Sequence, residues 1–394
     1  MNTDLTIIAQ DMQDYVVGIR RVLHTKPELR WEEEETLKLI KSAIENLFFK
    51  FKDGVQIHNM KGGIYVDVTF DLSFDRILLR SDVDAVATPE NTGLPFASQN
   101  PGVSHACGHD THIAMMLGAM KAIANGSVKP KYNLRFVFQR AEENPVTESG
   151  GASLVKEGVL DGIVRAFALH IFVEDKAKAG QFQTRRGQFL SNSGRMKITV
   201  NCEGGHVAKP HNGSNATDIM IDIGVALRGF ALSFLGPNER TSFVPASLNS
   251  GDPNSSNIRP GEATIWYAVR HFLPSDKAQE FVNAIMNKVL SVVSGYPDAK
   301  VNFEYFPGHP SLTNDPETTG KVMTILSKAG EEVVEIDPIF GGEDFAHYLN
   351  VIPGNAMMLG AYQEGSGGHH SSTFNPDESI LWKGVLYWLL LATN

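Results

Sequence analysis

Ser104-His105-Ala106-Cys107-Gly108-His109-Asp110-Thr111-His112, running into the apolar segment Ile113 to Ala124, decides how the rest of the chain is read. One of only two cysteines, three histidines and an aspartate fall together where a loop gives way to a helix. Small and apolar residues (Ala114, Met115, Leu117, Gly118, Ala122, Ile123) mark that helix for burial. A thiolate and two imidazoles near a helix N-terminus suit a divalent transition metal. Exposed N–H groups and the helix dipole favour deprotonated sulfur, while neutral imidazole offers nitrogen. A buried structural cysteine beside surface histidines is the competing reading, and the rest of the chain decides between them.

Three apolar runs end on residues that bind cations. Arg76-Ile77-Leu78-Leu79-Arg80 delivers Asp82 and Asp84, Leu134 to Gln139 delivers Glu142 and Glu143, and Val164 to Leu169 delivers His170. In open α/β sheets ligands bind beyond the carboxyl ends of strands, so these residues are expected in one crevice with Cys107 and His109. Asp82 is expected to point at the site more than Asp84, either touching a metal or orienting one of its ligands. Of two adjacent carboxylates at a strand end, one can coordinate a cation and the other take a proton from water. Helical periodicity from Asp4 to Leu47 predicts two amphipathic helices around the turn His24 to Leu29. The acidic run Glu32 to Glu35 reads as a solvated face at the start of the second helix.

From about Ser191 the pattern changes to strand, helix, two strands, helix, strand, the split βαβ order of a small ferredoxin-like module. It reads as an insertion, giving a first catalytic part at 1–190, an inserted module at 191–306 and a second catalytic part at 307–394. The chain then returns to α/β character and ends with Gly367-Gly368-His369-His370 before a last apolar helix. That helix, Ile380 to Thr393, contains Lys383 and is too short to span a bilayer.

At 394 residues with net charge −10, the chain lacks the basic footprint of a nucleic-acid binder, and no membrane partner is expected. Two cysteines make no disulfide framework, and the N-terminus shows no secretion signal, so a cytoplasmic location is expected.

The order and spacing of these motifs resemble the aminoacylase and carboxypeptidase type of metal-dependent amidohydrolase, the branch of hippurate, indole-acetyl-amino-acid and N-acetyl-diaminopimelate hydrolases among the zinc peptidases. The resemblance rests on Arg21 to Leu29, Leu79 to Ala85, Ala106 to His112, Phe138 to Glu143, Gly205 to His211, Gly342 to Phe345 and His370 to Phe374. It implies an α/β catalytic domain with a mixed central sheet flanked by helices, plus an inserted ferredoxin-like α+β lid or dimerisation domain. It also implies two divalent ions (Zn, Mn, Co or Ni) held by Cys107, His109, Glu143, His170 and His370, with His369 the rival for the last position. Glu142 takes the place of the catalytic base, Asp82 that of the aspartate orienting a ligand histidine, and His206 that of a histidine serving the substrate carbonyl. Asn257 and Arg270 match polar contacts to a substrate carboxylate. The implied substrates are N-acyl amino acids or short peptides, and the implied assembly is a homodimer or larger homo-oligomer. Arg140 departs from the pattern, standing where Pro is usual before Ala-Glu-Glu.

Two rivals remain at this level. A cysteine hydrolase would use Cys107 as nucleophile and His109 as base, but residues two apart at a helix start seldom face one another. A non-catalytic metal-binding scaffold would have no use for a complete set of ligands and a base.

Overall fold

A computed structural model of the 394-residue chain describes all residues except 1, 52–53, 145–147, 175–176 and 237–238. The chain divides into two compact units: Met1–Phe189 with Leu312–Pro338 and Asp344–Asn394, and Leu190–Ser311 with Ile339–Glu343.

In chain order the first unit begins with α1 (Asn2–Asp11), α2 (Gln13–His24), α3 (Glu34–Leu47), β1 (Val55–Met60), β2 (Gly63–Val68), β3 (Arg76–Asp82) and α4 (His109–Ala124). It continues through β4 (Asn133–Gln139), α5 (Gly150–Lys156), β5 (Ile163–Phe172), β6 (Phe182–Thr184) and β7 (Gly187–Leu190). The second unit holds β8 (Arg195–Asn201), β9 (Gly205–His206), α6 (Ala216–Leu235), β10 (Thr241–Ser250), β11 (Ile258–Arg259), β12 (Glu262–His271), α7 (Ser275–Val293) and β13 (Lys300–Phe306). The first unit then resumes with β14 (Leu312–Asn314), α8 (Pro316–Lys328), β15 (Val333–Glu335), α9 (Ala346–Leu349), β16 (Gly354–Gly360) and α10 (Leu381–Thr393).

Among the described residues, the main sheet of the first unit runs β1-β2-β4-β3-β5-β16-β6-β15 and is mixed. Its centre, β4-β3-β5-β16, is parallel, with Asp82 opposite Gln139 and His170 opposite Met358. Parallel pairing puts the carboxyl ends of these strands on one edge, which is why Asp82, the Glu142-Glu143 corner and His170 come together. Strands β3 and β4 are buried almost throughout, as expected when helices cover both faces.

Helix α4 is buried on nearly every side and packs against α2, α3 and α10. At Gly118 an added Cβ would lie 2.6 Å from Val16 and 2.9 Å from Val385, so glycine is what lets α2 and α10 approach. The run Asp4 to Leu47 forms three helices rather than the two expected, because the chain breaks at Met12 between α1 and α2. The acidic run is also corrected. Glu32, Glu34 and Glu35 are exposed, whereas Glu33 is fully buried.

The second unit has the sheet order β10-β12-β8-β13, antiparallel throughout, with α6 and α7 packed on it. Its outer strands are second and fourth in sequence, the ferredoxin-like order. A separate core of Met196, Ile198, Ile223, Leu227, Tyr267 and Phe281 holds it together. Among the described residues no helix is long and apolar enough to cross a membrane.

Candidate metal centre

Gly108 separates the first two candidate ligands. It caps α4 at φ +87°, and an added Cβ would run into Ile171 Cδ1. Gly108→Ala combines a left-handed penalty of about 1–2 kcal/mol with overpacking of about 1–3 kcal/mol. It is expected to cost about 2–5 kcal/mol in urea denaturation and to lower metal stoichiometry.

Cys107 Sγ lies 3.6 Å from His170 Nε2 and 4.0 Å from His369 Nδ1. His170 Nδ1–H donates to Ile171 O at 2.5 Å, leaving Nε2 with its lone pair facing the sulfur. His109 Nδ1 donates to Asp84 Oδ1 at 3.2 Å, and its Nε2 is buried with no hydrogen-bond partner. An orphaned, buried imidazole nitrogen whose other nitrogen is held by a carboxylate is what a metal-ligating histidine presents. His370 Nε2 lies 2.9 Å from Glu143 Oε1. Among the described residues, groups with donor atoms within 4.8 Å of one another include Cys107, Glu143 and His370; His109, Glu142 and Glu143; and Asp82, His109, His112 and His170. All five expected ligands and the expected base therefore meet at the carboxyl edge of the main sheet. Soft sulfur, imidazole nitrogen and carboxylate oxygen together suit Zn, Mn, Co or Ni.

The electrostatics point the same way. Burial favours neutral His109, but Asp82, Asp84 and Glu143 outweigh it and raise its pKa to about 10. Burial also raises Glu143, yet His370 and His109 hold it below the ordinary glutamate value. Burial, with His112 and His369 alongside, keeps His170 neutral well below the ordinary imidazole range. A buried set with four carboxylates (Asp82, Asp84, Glu142, Glu143) is short of positive charge, and divalent cations supply it.

The Cys107 thiol is pushed up by burial and by Glu143, Glu142 and Asp82. Without a cation beside it the sulfur stays protonated, and His109 is turned to Asp84 rather than to the thiol. Both facts weigh against the cysteine-nucleophile reading.

Three assignments need tertiary contacts. Asp84, not Asp82, hydrogen-bonds His109, and it also accepts from Glu143 N at 2.9 Å. Asp82 instead accepts from His112 Nδ1 at 2.6 Å and Arg80 at 2.7 Å. Asp82 ends β3 and Asp84 lies two residues beyond it, so spacing could not tell which reaches which ring. His112 Nε2 accepts from Ile171 N at 2.9 Å, so both its nitrogens are used and it is a brace for β5 rather than a ligand. His369 accepts from Val173 N at 3.4 Å through Nε2, which leaves its Nδ1–H facing the Cys107 sulfur.

A second layer sets the helix start. Asp110 accepts from Arg20 Nε at 3.1 Å and His24 Nδ1 at 2.7 Å, and His24 Nε2 meets Glu90 at 3.3 Å. Burial opposes charge on His24, but Asp110 and Glu90 outweigh it and raise its pKa to about 9. Burial raises Glu90, but His24, Thr92 and Ser98 hold it at about 2. The folded chain thus keeps a proton on His24 that the unfolded chain releases. That contribution to stability is complete below the ordinary value of 6.5 and is lost as pH rises through about 9. The Glu90 contribution is present above 4.5 and is lost as pH falls through about 2. His24→Gln is expected to flatten the decline in Tm between pH 6.5 and 9, measured by calorimetry at several pH values.

The remaining expected residues lie in the second unit. His206 is exposed on β9, which pairs with β11, and Asn257 is exposed just before β11, with Val207 N donating to Asn257 O at 3.1 Å. Arg270 is half-buried on β12, and burial and the nearby Arg195 lower its pKa.

A family model described as peptidase family M20/M25/M40 matches residues 78–394. The chain is 31% identical over 390 residues to thermostable carboxypeptidase 1 of Saccharolobus solfataricus, covering 98% of this chain and 96% of that protein. It is 32% identical over 378 residues to N-acetyl-L-cysteine deacetylase of Bacillus subtilis, covering 95% and 87%. Among solved structures, a Bacillus subtilis protein described as a dinuclear metal-binding peptidase of the M20 family superposes with a TM-score of 0.79. The two are 26% identical, covering 97% of this chain and 98% of that one.

Proposed function

The chain belongs to peptidase family M20/M25/M40, and from that premise we propose that it hydrolyses the amide bond of N-acyl amino acids with two divalent ions bound. The observation that carries the proposal is the overlap of three donor groups that together hold Cys107, His109, Glu143, His170 and His370, with Glu142 among them and with His109 Nε2 buried and without a hydrogen-bond partner. Cys107, His109, Glu143, His170 and His370 would hold the ions. Bound there, the ions would supply Lewis acidity, lowering the pKa of water and polarising the scissile carbonyl.

This chain's own residues do the rest. Glu142, buried and close to Glu143 and His109, takes the proton of the attacking water and passes it to the leaving amine. Asp84 keeps the His109 ring in one tautomer, and Ile171 O does the same for His170. His206 donates to the carbonyl oxygen as charge builds there, and Asn257 and Arg270 receive the substrate carboxylate. The inserted module is read as a lid or dimerisation element. Exposed Ile221 and Val225 on α6 and the edge strand β10 are the surfaces by which two copies would join. Two free cysteines accord with a cytoplasmic protein.

The test is elemental metal content of the purified protein measured alongside turnover of N-acetyl amino acids and dipeptides. About two ions per chain with preference for N-acyl substrates supports the reading. A higher kcat/KM on dipeptides would move the substrate to short peptides, the choice favoured by the carboxypeptidase relative. Folded protein that binds no added cation would end the proposal.

A further inference from the structure

The buried glutamate of the acidic run faces the corner that carries the base. Glu33 occupies the N-cap position of α3, yet its side chain makes no capping bond. Glu28 does that work, accepting from Glu35 N at 3.1 Å and Thr36 N at 2.7 Å. The Glu33 carboxylate turns inward, fully buried, and accepts from Arg140 Nε at 2.7 Å and from Ala141 N at 2.8 Å. A buried carboxylate is costly unless its partners are well placed, and here both partners belong to the residues just before Glu142.

Ala141 has φ +51°, a left-handed conformation that non-glycine residues adopt rarely. Among the described residues the other non-glycine positive-φ residues are Trp31 and His370. Trp31, at φ +68°, accepts through its carbonyl from the Arg140 guanidinium at 2.7 Å. One arginine thus ties two strained residues together, and Glu33 neutralises it. This chain thus restricts the corner with an ion pair. The corner is also held by Arg140 N to Gly62 O at 2.9 Å and Gly150 N to Ala141 O at 3.2 Å.

We propose that Glu33 is a positioning residue for hydrolysis: its carboxylate holds the Arg140–Ala141 corner in the left-handed turn that presents Glu142 as base and Glu143 as ligand. This rests on the roles given to Glu142 and Glu143 above. Strain at a site persists only where surrounding contacts over-determine it, and the Glu33 clamp is the side-chain contact that bonds both residues of the corner, beside the two backbone bonds. The two donors use different oxygens of Glu33, Arg140 Nε–H going to Oε2 and Ala141 N–H to Oε1, so a carboxamide in the same pose turns an NH2 toward one of them and loses that bond.

Glu33→Gln is expected to weaken metal affinity, read by competition with a chromophoric chelator, and to lower kcat, each by about 10–100-fold. Adding Ala141→Gly to Glu33→Gln should recover most of both losses, because glycine takes the left-handed turn without a clamp. A general folding role would not be rescued this way. Wild-type affinity and kcat in Glu33→Gln would overturn the proposal, as would a loss that Ala141→Gly leaves in place. If Glu33→Gln fails to fold, Glu33→Asp keeps the charge, withdraws the carboxylate by one methylene and reads the same two quantities, again with and without Ala141→Gly. Glu142→Gln is measured in parallel. Full activity there would refute the base assignment, whereas an inactive Glu142→Gln beside a wild-type Glu33→Gln would refute the clamp alone.

Discussion

Glu142→Gln is expected to leave the metal content unchanged and to lower kcat by about 100- to 10,000-fold, the range that a positioned general base contributes. The substitution keeps the side chain's shape and its capacity to accept from Asp344 N, 3.4 Å away, so the surrounding corner has no reason to move. It removes the group that takes the water's proton. The proposed ligands Cys107, His109, Glu143, His170 and His370 are untouched, so metal content and turnover should separate. Elemental analysis and steady-state kinetics on one preparation check this. A variant that keeps its turnover would transfer the base role to another residue, and one that loses metal would make Glu142 a ligand.

Removing metal with a chelator, followed by desalting, is expected to abolish turnover entirely, and adding back Zn, Mn, Co or Ni should restore it to different extents. The stripped protein should also melt at a lower temperature, because an ion that binds only the folded state stabilises it by mass action. Glu142 and Glu143 share one donor group, and Glu143 repels the buried Asp84 carboxylate, so cations at this site relieve like charge. The same treatment separates the hydrolase reading from the thiol reading, since a cysteine nucleophile survives chelation. Burial and neighbouring carboxylates raise the Cys107 thiol, so alkylation of the chelated protein at neutral pH should be slow.

Much of the site was legible because periodicity and strand polarity are local properties. Apolar runs ending at Asp82, Gln139 and Leu169 announce strands, and parallel strands gather their carboxyl ends whatever the details of packing. His170 proved to be the eighth residue of β5 rather than its last, because the strand runs on to Phe172, which changes its place on the strand but not the edge it occupies. The acidic run was misread for a physical reason. Glu33 has the same composition and helix-start context as Glu32, Glu34 and Glu35, and only its distant partners Arg140 and Ala141 make its burial tolerable.

The amino-acid sequence by itself determined the α/β and inserted-module organisation, the ligand chemistry around Cys107 and the candidacy of the Glu142-Glu143 pair. These follow from spacing, hydrophobic pattern and the donor atoms each side chain carries. Only the tertiary structure decided that Asp84 rather than Asp82 holds His109, that His369 serves the Cys107 sulfur while His370 meets Glu143, and that His112 is spent as a brace. Those are choices between chemically equal neighbours. A hydrogen bond is settled by a few tenths of an ångström and by which lone pair is already taken, quantities that exist only once residues far apart in sequence are packed together.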